Sequence, residues 1–352
     1  MPDADLTPSL ADTVRAAAAV GRPLRIVGGD TRAFYGRPVA GETLALAGHR
    51  GVVDYDPAEM VITARAGTPY DEIEALLDAE GQRLAFEAPV FGAAGTLGGA
   101  VASGLAGPAR PFAGAVRDAV LGVRVLNSRG EALRLGGVVF KNVAGFDGFR
   151  LMAGALGTLG VLLDVSLRAT PKPRVETALA LEMDEGAAAR LTLSLMCRPL
   201  PLSGACHDGR LLHLRLAGGT QGVAALAREL GGEAEDLGFW ASLRHMTHPF
   251  FAGSGDLWRL SLPQTAPAPA LPGHWLWDWA GAQRWLVSDA PPRDIRAAAA
   301  AAGGYATLFR GTAPDGEVFA PLAPGVMALH QRLKAAFDPA GIFNPGRMYA
   351  DL

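Results

Sequence analysis

Gly95-Thr96-Leu97-Gly98-Gly99-Ala100-Val101-Ala102-Ser103-Gly104 opens the stretch on which the reading of this chain turns. The stretch runs from Gly92 to Leu167. It passes through Arg117-Asp118 and Lys141-Asn142-Val143-Ala144-Gly145 and closes on Gly154-Ala155-Leu156-Gly157-Thr158-Leu159-Gly160-Val161. It sets two glycine clusters between strands and is sparing in acidic side chains. Glycine lacks Cβ and accepts positive φ, so such a backbone can approach a large anion closely. A third cluster, Gly28-Gly29-Asp30-Thr31-Arg32, follows directly on the short buried strand Leu24-Arg25-Ile26-Val27. A strand running into a glycine turn is how successive amides form an anion-binding nest. The three clusters are read as the grip on one dinucleotide. Asp30 is the awkward member, and it is expected to turn away and bond its own backbone, as aspartate does in turns.

The rest of the composition fits a soluble enzyme. A chain of 352 residues is long for one core, which favours two domains. Hydrophobic residues at 49% and charged residues at 19% exclude a disordered chain, and a net charge of −3 gives no electrostatic case for nucleic acid. Lys141 is one of only three lysines, with Lys172 and Lys334, in a chain that otherwise uses arginine. The two cysteines, Cys197 and Cys206, are too few for an iron–sulfur site, so any such chemistry belongs to another chain. No basic-then-apolar leader is evident at the N-terminus, and no apolar run approaches the ~20 residues that span a bilayer. The expectation is a cytoplasmic protein whose membrane contact, if any, is peripheral.

Leu6 to Val20 reads as an amphipathic helix stopped by Gly21. Short strands follow at Leu44–Ala47, Gly51–Pro57 and Met60–Gly67, then a helix Tyr70–Glu80 with Pro69 at its entry. Arg117–Leu126 and Glu131–Leu135 read as a hairpin, Asp147–Ala153 as a short helix and Gly160–Ala169 as a strand. This is an α+β pattern. After Pro171 and Pro173 the order becomes βαββαβ. A Trp-rich hairpin follows, in which the period of two puts Trp275, Trp277 and Trp279 on one strand face, read as sheet packing. Pro292–Ala302 and Ala320–Phe337 are further helices.

Several chemistries are excluded. No Gly-x-Gly-x-x-Gly turn, Walker A loop, Gly-x-Ser-x-Gly elbow or Cys-x-x-Cys is present. His207 and His213 on one strand would lie about 20 Å apart, too far to share a metal at ~2 Å, and if Asp208-Gly209 turns a hairpin His213 is expected to run away from His207. His245 and His248 are followed at once by Pro249 with no third ligand near, so no metal site is expected.

Five ordered motifs carry a family resemblance: Gly28–Pro38, Gly95–Gly99, Lys141–Asp147, Gly157–Val161 and Gly341-Ile342-Phe343-Asn344-Pro345-Gly346-Arg347. With Ala106–Asp118 and the tryptophan hairpin, they resemble the FAD-binding oxidoreductases of the vanillyl-alcohol-oxidase (PCMH) type. Within that family the chain is most similar to the E-type subunits of bacterial glycolate oxidases, nearly end to end. The resemblance implies an α+β fold with a PCMH-type FAD-binding domain over 1–172, made of two α+β subdomains of roughly 1–65 and 66–172. It implies a ferredoxin-like cap over 174–300 and a tail, 303–352, that returns to the FAD domain.

It also implies FAD held without a covalent bond, since Asp30 stands where some members attach flavin. Cofactor contacts are then expected from Gly28, Gly29, Asp30, Thr31, Arg32, Gly95, Thr96, Leu97, Gly98, Gly99, Ser103, Arg117, Asp118, Lys141, Gly157, Thr158, Leu159, Gly160 and Val161, with the amides of 28–32 and 96–99 on the diphosphate. Arg110 and Asn142 are further polar groups expected near the flavin. A cation there stabilises the anionic reduced flavin. For Arg117-Asp118 the alternative is an internal salt bridge. Catalytic candidates are Lys141, Asn344 and Arg347, with a C-terminal clasp as the alternative for the last two. The activity implied is that of an FAD-binding subunit in a complex oxidising glycolate to glyoxylate. It would be an electron relay or assembly partner of a D-type catalytic flavin subunit, with an iron–sulfur subunit and a small 2-hydroxy acid as the other partners. A self-sufficient FAD-dependent 2-hydroxyacid dehydrogenase and a flavin-free scaffold are the alternatives.

Overall fold

The computed structural model describes residues 4–138, 147–312 and 316–352. The chain divides into two compact units. One gathers Met1–Leu105, Ala115–Lys172 and Pro321–Leu352, and the other gathers Ala106–Gly114 and Pro173–Ala320.

The first unit begins with helix α1 (Thr7–Ala19), which turns Leu10, Val14 and Ala17 inward and ends just before Gly21, at a φ of 63°. A left-handed residue at this place is what closes many helices. Strands β1 (Leu24–Val27) and β2 (Glu42–Ala45) pair in parallel. Ile342 and Phe343, from the other end of the chain, complete a small core with Leu10, Val14, Leu24 and Leu44. Next come β3 (Val52–Asp56), β4 (Val61–Arg65), helix α2 (Tyr70–Ala79), β5 (Gln82–Leu84) and helix α3 (Leu97–Ser103). The hairpin β6 (Val120–Leu126) and β7 (Ala132–Gly136) and the long strand β8 (Val161–Pro171) finish the set. The large sheet runs β3-β4-β8-β6-β7, with β5 also on β8. Its apolar residues Ile62, Val123, Val165 and Leu167 pack with Tyr70, Ile73 and Leu77 of α2 and with Leu97 and Val101 of α3.

Two expectations change here. β3 and β4 pair antiparallel into the large sheet, Ile62 opposite Leu167, so residues 52–65 do not belong with the small parallel pair. Pairing between strands a hundred residues apart leaves no local trace in sequence. Gly95–Gly99 is also more than a bare turn, because α3 starts at Leu97.

In the second unit, helix α4 (Arg110–Ala113) lies in the short segment Ala106–Gly114, while α5 (Val116–Ala119) belongs to the first unit. The main part follows β9 (Val175–Glu182), α6 (Glu185–Met196), β10 (Leu202–His207), β11 (Leu211–Gly218), α7 (Thr220–Leu230) and β12 (Glu233–Glu235). These four strands lie in the order β12-β9-β11-β10, which is the ferredoxin-like arrangement of a βαββαβ unit. The sheet continues through β13 (Leu257–Ser261), β14 (His274–Asp278), β15 (Gln283–Val287) and β16 (Tyr305–Arg310), in the order β14-β15-β13-β16. Residues 305–310 therefore sit in this sheet, beside β13. The segment that joins the first unit begins at Pro321 rather than at 303. Among the described residues no helix is long and apolar enough to cross a membrane.

Candidate functional site

Two adjoining hollows open in the first unit. One, of about 610 Å³, is bordered by Gly28 to Arg32, by Thr96, Gly99 and Ser103, and by Asn344 and Arg347. The other, of about 540 Å³, is bordered by Gly98, Gly99, Met152, Gly157, Leu159 and Gly160. Both include Ile26, Gly28, Thr96, Gly99, Leu156 and Asn344. Three glycine clusters far apart in sequence thus border one pair of hollows.

The turn after β1 is set by contact. A Cβ on Gly28 would overlap Thr96 Oγ1, and one on Gly29 would overlap the Ala94 carbonyl, so these glycines let two segments touch. The amides of Gly28, Gly29, Asp30, Thr31 and Arg32 donate to no acceptor among the described residues. Five consecutive N–H groups without partners make an anion-binding nest. Asp30 adopts a φ of 55°, and its two carboxylate oxygens each lie 2.6 Å from Arg25 Nη2. It does not bond its own backbone as expected; the guanidinium of Arg25 neutralises it instead.

Arg32 is the exceptional group. Its Nη2 donates to Pro89 O at 2.6 Å, and its guanidinium lies 5.5 Å from the Phe91 ring centre. Its Nε is buried without a partner, and no carboxylate pairs with it among the described residues. Burial pushes its pKa down to about 10. A cation out of water without a counter-charge is costly. With the free amides beside it, it fits the phosphates of an anionic cofactor.

The second cluster behaves differently. Thr96 caps α3, its Oγ1 accepting from Gly99 N at 3.2 Å. Leu97 N donates to Thr68 O at 2.9 Å and Gly98 N to Ala66 O at 2.7 Å. A Cβ on Gly98 would come within 2.7 Å of Ala66 Cβ. The amides of Leu97 to Gly99 are therefore committed inward, contrary to their expected place on a diphosphate. Leu97 itself is core, and Gly95 borders neither hollow. Ser103 borders the first hollow with its hydroxyl donated to Ala100 O at 3.1 Å.

In the third cluster Gly157, Leu159 and Gly160 face the second hollow. Thr158 turns away, donating to Ala155 O at 2.8 Å, and Val161 lies in the small core. Neither borders a hollow.

Asn344 and Arg347 border the first hollow as a clasp. Asn344 Oδ1 accepts from Ile26 N at 2.8 Å, and its Nδ2 donates to Leu156 O at 2.7 Å. Arg347 donates to the carbonyls of Arg32, Ala33, Tyr35 and Arg37. Burial lowers its pKa, with Arg25 adding to the effect. These groups shape the first hollow by tying the turn to the tail. Lys334, given no role in the sequence reading, ties the tail to the third cluster instead. Its Nζ donates to Thr158 O at 2.8 Å, Phe343 O at 2.6 Å and Asp338 Oδ2 at 2.7 Å. One of only three lysines, in the tail helix Pro324–Phe337, was the available signal.

Other expected site residues lie elsewhere. Arg117 is exposed and lies 3.9 Å from Asp118, which meets Arg150 at 3.4 Å and accepts from Ala115 N at 2.9 Å. Neither Arg117 nor Asp118 borders a hollow; Asp118 caps the start of α5. Lys141 and Asn142 lie outside the described residues. Arg110 stacks over Trp279 at 4.4 Å within the second unit. Trp275 and Trp277 are on β14, but Trp279 falls in the tight turn beyond it, with a φ of 52°. His207 Nε2 lies 3.0 Å from Met183 O, and His213 Nδ1 lies 2.7 Å from Glu235. The left-handed Met246 ends the helix at His245, so His248 shares no helical face with it.

Residues 6–136 match the family described as FAD binding domain, and residues 320–348 match FAD linked oxidases, C-terminal domain. The chain is 48% identical over 350 residues to the glycolate oxidase subunit GlcE of Escherichia coli, covering 99% of each. It is 41% identical over 78 residues to the glycolate oxidase subunit GlcD of Bacillus subtilis, covering 22% of this chain and 17% of that one. A solved structure of alkyldihydroxyacetonephosphate synthase matches with a TM-score of 0.68 at 14% identity. That match covers 96% of this chain and 74% of the other, and it speaks for the fold alone.

Proposed function

This chain belongs to the family of the glycolate oxidase subunit GlcE, and we propose that it is the FAD-binding subunit of a complex that oxidises glycolate to glyoxylate. The observation that carries the reading is Arg32, a largely buried cation that has no counter-charge among the described residues, beside five amides bordering the first hollow that donate to none of them. Gly28 to Arg32 would hold the diphosphate of FAD, and Arg32 would supply its side-chain cation. The apolar lining of the second hollow, Met152, Leu156 and Leu159, would exclude water beside Gly157 and Gly160. Bound there, FAD supplies a two-electron acceptor that can pass electrons on singly. Asp30, already neutralised by Arg25, neither repels the phosphates nor offers a covalent attachment.

The finer assignment is a relay or assembly role beside a D-type catalytic flavin subunit, which takes the hydride from the CH–OH carbon of the small 2-hydroxy acid. Two observations support it. Among the described residues the titratable side chains bordering the first hollow are Arg25, Asp30, Arg32 and Arg347, and Asp30 is paired, so none of these four is poised to take the hydroxyl proton. The chain's two cysteines, Cys206 buried and Cys197 exposed, cannot hold a cluster, so an iron–sulfur centre receiving the electrons would belong to a partner subunit. We place the complex in the cytoplasm, with any membrane contact peripheral at its inner face.

The purified chain should show a flavin band near ~450 nm that persists when glycolate is added anaerobically in the absence of partners. It should bleach once the catalytic subunit is supplied. A colourless chain that takes up no FAD would point to a scaffold, and bleaching by glycolate alone would show a self-sufficient dehydrogenase.

A further inference from the structure

We infer that Phe91 is a positioning residue for the diphosphate, acting through the guanidinium of Arg32; the inference rests on the FAD reading above, and every residue it names belongs to the first unit. The segment Pro89–Ala94 follows the buried Ala88 and leads to Thr96, the cap of α3. It meets the turn after β1 at both of its ends. Gly29 lies so close to the Ala94 carbonyl that a Cβ would overlap it, and Pro89 O accepts from Arg32 Nη2 at 2.6 Å. Between these two contacts in sequence stands Phe91, with the Arg32 Cζ over its ring at 5.5 Å from the centre. Phe34, two residues after Arg32, meets the Phe91 ring edge to face, 5.1 Å between centres and 80° between planes. On the other flank Arg32 Nη1 runs beside Gly99, where a Cβ would come within 3.2 Å of it. Gly99 and Arg32 border the first hollow, and Phe91 borders neither hollow.

The guanidinium faces two opposed demands. Its charge serves a phosphate best where water is excluded, and there it is also hardest to hold while the phosphate is absent. Arg347 holds the turn by its carbonyls, which leaves the Arg32 side chain to be held by other groups. Pro89 O takes one donor, and Nε is buried without a partner. A single carbonyl fixes one nitrogen and lets the plane of the group swing about that bond. An aromatic face fixes the plane and attracts the cation through the ring quadrupole. It also takes up none of the N–H donors, which stay available to an anion. A carboxylate in place of Phe91 would hold the arginine more firmly, but it would cancel the charge that a diphosphate needs. Phe34 braces the ring in the edge-to-face geometry that aromatic quadrupoles favour. Phe91 thus aims Arg32 without neutralising it.

The test titrates the flavin-free full chain with FAD and with riboflavin, as wild type, Phe91→Leu, Arg32→Met and the double variant. Phe91→Leu should bind FAD about fivefold more weakly and riboflavin as wild type does. In the Arg32→Met background the same change should weaken FAD no further, because the two residues act as one unit. Phe91→Tyr keeps the ring face and should bind FAD as wild type does. The Arg32 Nε–H proton, identified in NMR spectra of the flavin-free chain by its loss in Arg32→Met, should lose its ring-current shift in Phe91→Leu and keep it in Phe91→Tyr. Equal weakening in both backgrounds, a parallel loss of riboflavin, or a Phe91→Tyr as weak as Phe91→Leu would overturn the inference, since Phe91 would then serve the fold and not the guanidinium. If Phe91→Leu does not fold, Phe91→Met decides by the same criteria. A wild-type chain that binds FAD no more tightly than riboflavin would refute the FAD reading, and the positioning role with it. A wild-type chain that prefers FAD, and keeps that preference undiminished in Phe91→Leu, would refute the positioning role alone.

Discussion

Both the turn Gly28–Arg32 and the corner Asp278–Gly281 place non-glycine residues in left-handed backbone, Asp30 in one and Trp279 with Ala280 in the other. Each brings one segment against another, Gly29 against Ala94 and Trp279 against Gly107. At the corner two donors are matched within the fold: Asp278 takes the Trp279 amide, and the indole N–H has the Gly107 carbonyl. At the turn five amides and the Nε of Arg32 lack partners among the described residues. Successive amides with no acceptor inside the fold are open to an anion, and beside the buried Arg32 Nε they mark where a ligand can complete the structure. Satisfied strain, by contrast, marks architecture.

Substitutions can break or sharpen this contrast. The largest effect is expected from Gly98→Val, because its Cβ would press on Ala66 and α3 has no room to shift. A loss of about 3 kcal/mol in folding stability, read by denaturant unfolding, should accompany any loss of flavin. Next, Arg32→Met should weaken FAD binding by about 2 kcal/mol, roughly 30-fold, in a fluorescence titration. The flavin-free variant should be at least as stable as wild type, since an uncompensated buried charge has gone. A destabilised flavin-free Arg32→Met would show that the guanidinium serves the fold.

A smaller effect, of opposite sign, is expected from Asp30→Asn. Removing the carboxylate frees Arg25 beside the first hollow and should tighten FAD by about 0.5–1 kcal/mol in the same titration. Asparagine tolerates the left-handed backbone that Asp30 adopts. The smallest effect belongs to Arg117→Ala. Its exposed pairing with Asp118 should change stability by no more than about 0.5 kcal/mol and leave the flavin content unchanged. A large loss of flavin in that variant would bring Arg117 back to the site.

Much of this was legible in sequence where the signal was local. The strand Leu24–Val27 entering its glycine turn, the helix after Pro69, the β6–β7 hairpin and the βαββαβ order of the second unit all rest on short periodicities and turn residues. The convergence of the three glycine clusters was legible only from their order and the family resemblance. What sequence could not convey was direction. Gly98 and Gly99 look like Gly28 and Gly29, yet one pair's amides are donated inward and the other's are free. Arg32 and Arg117 are the same residue type in the same kind of motif. One is largely buried beside a hollow and the other is exposed, because neighbours remote in sequence decide which way each points. The place of β3 and β4 in the large sheet, the place of residues 305–310, and the departure of Trp279 from its strand face are likewise long-range outcomes.

The central claim is that the turn Gly28–Arg32 and the Arg32 guanidinium hold a diphosphate. It is tested most directly by titrating the flavin-free chain with FAD and, separately, with riboflavin, which has the same ring system and no phosphate. FAD should bind at least about 100-fold more tightly than riboflavin, and Arg32→Met should narrow that ratio by roughly 30-fold. Equal binding of the two flavins, or a ratio unmoved by Arg32→Met, would contradict it.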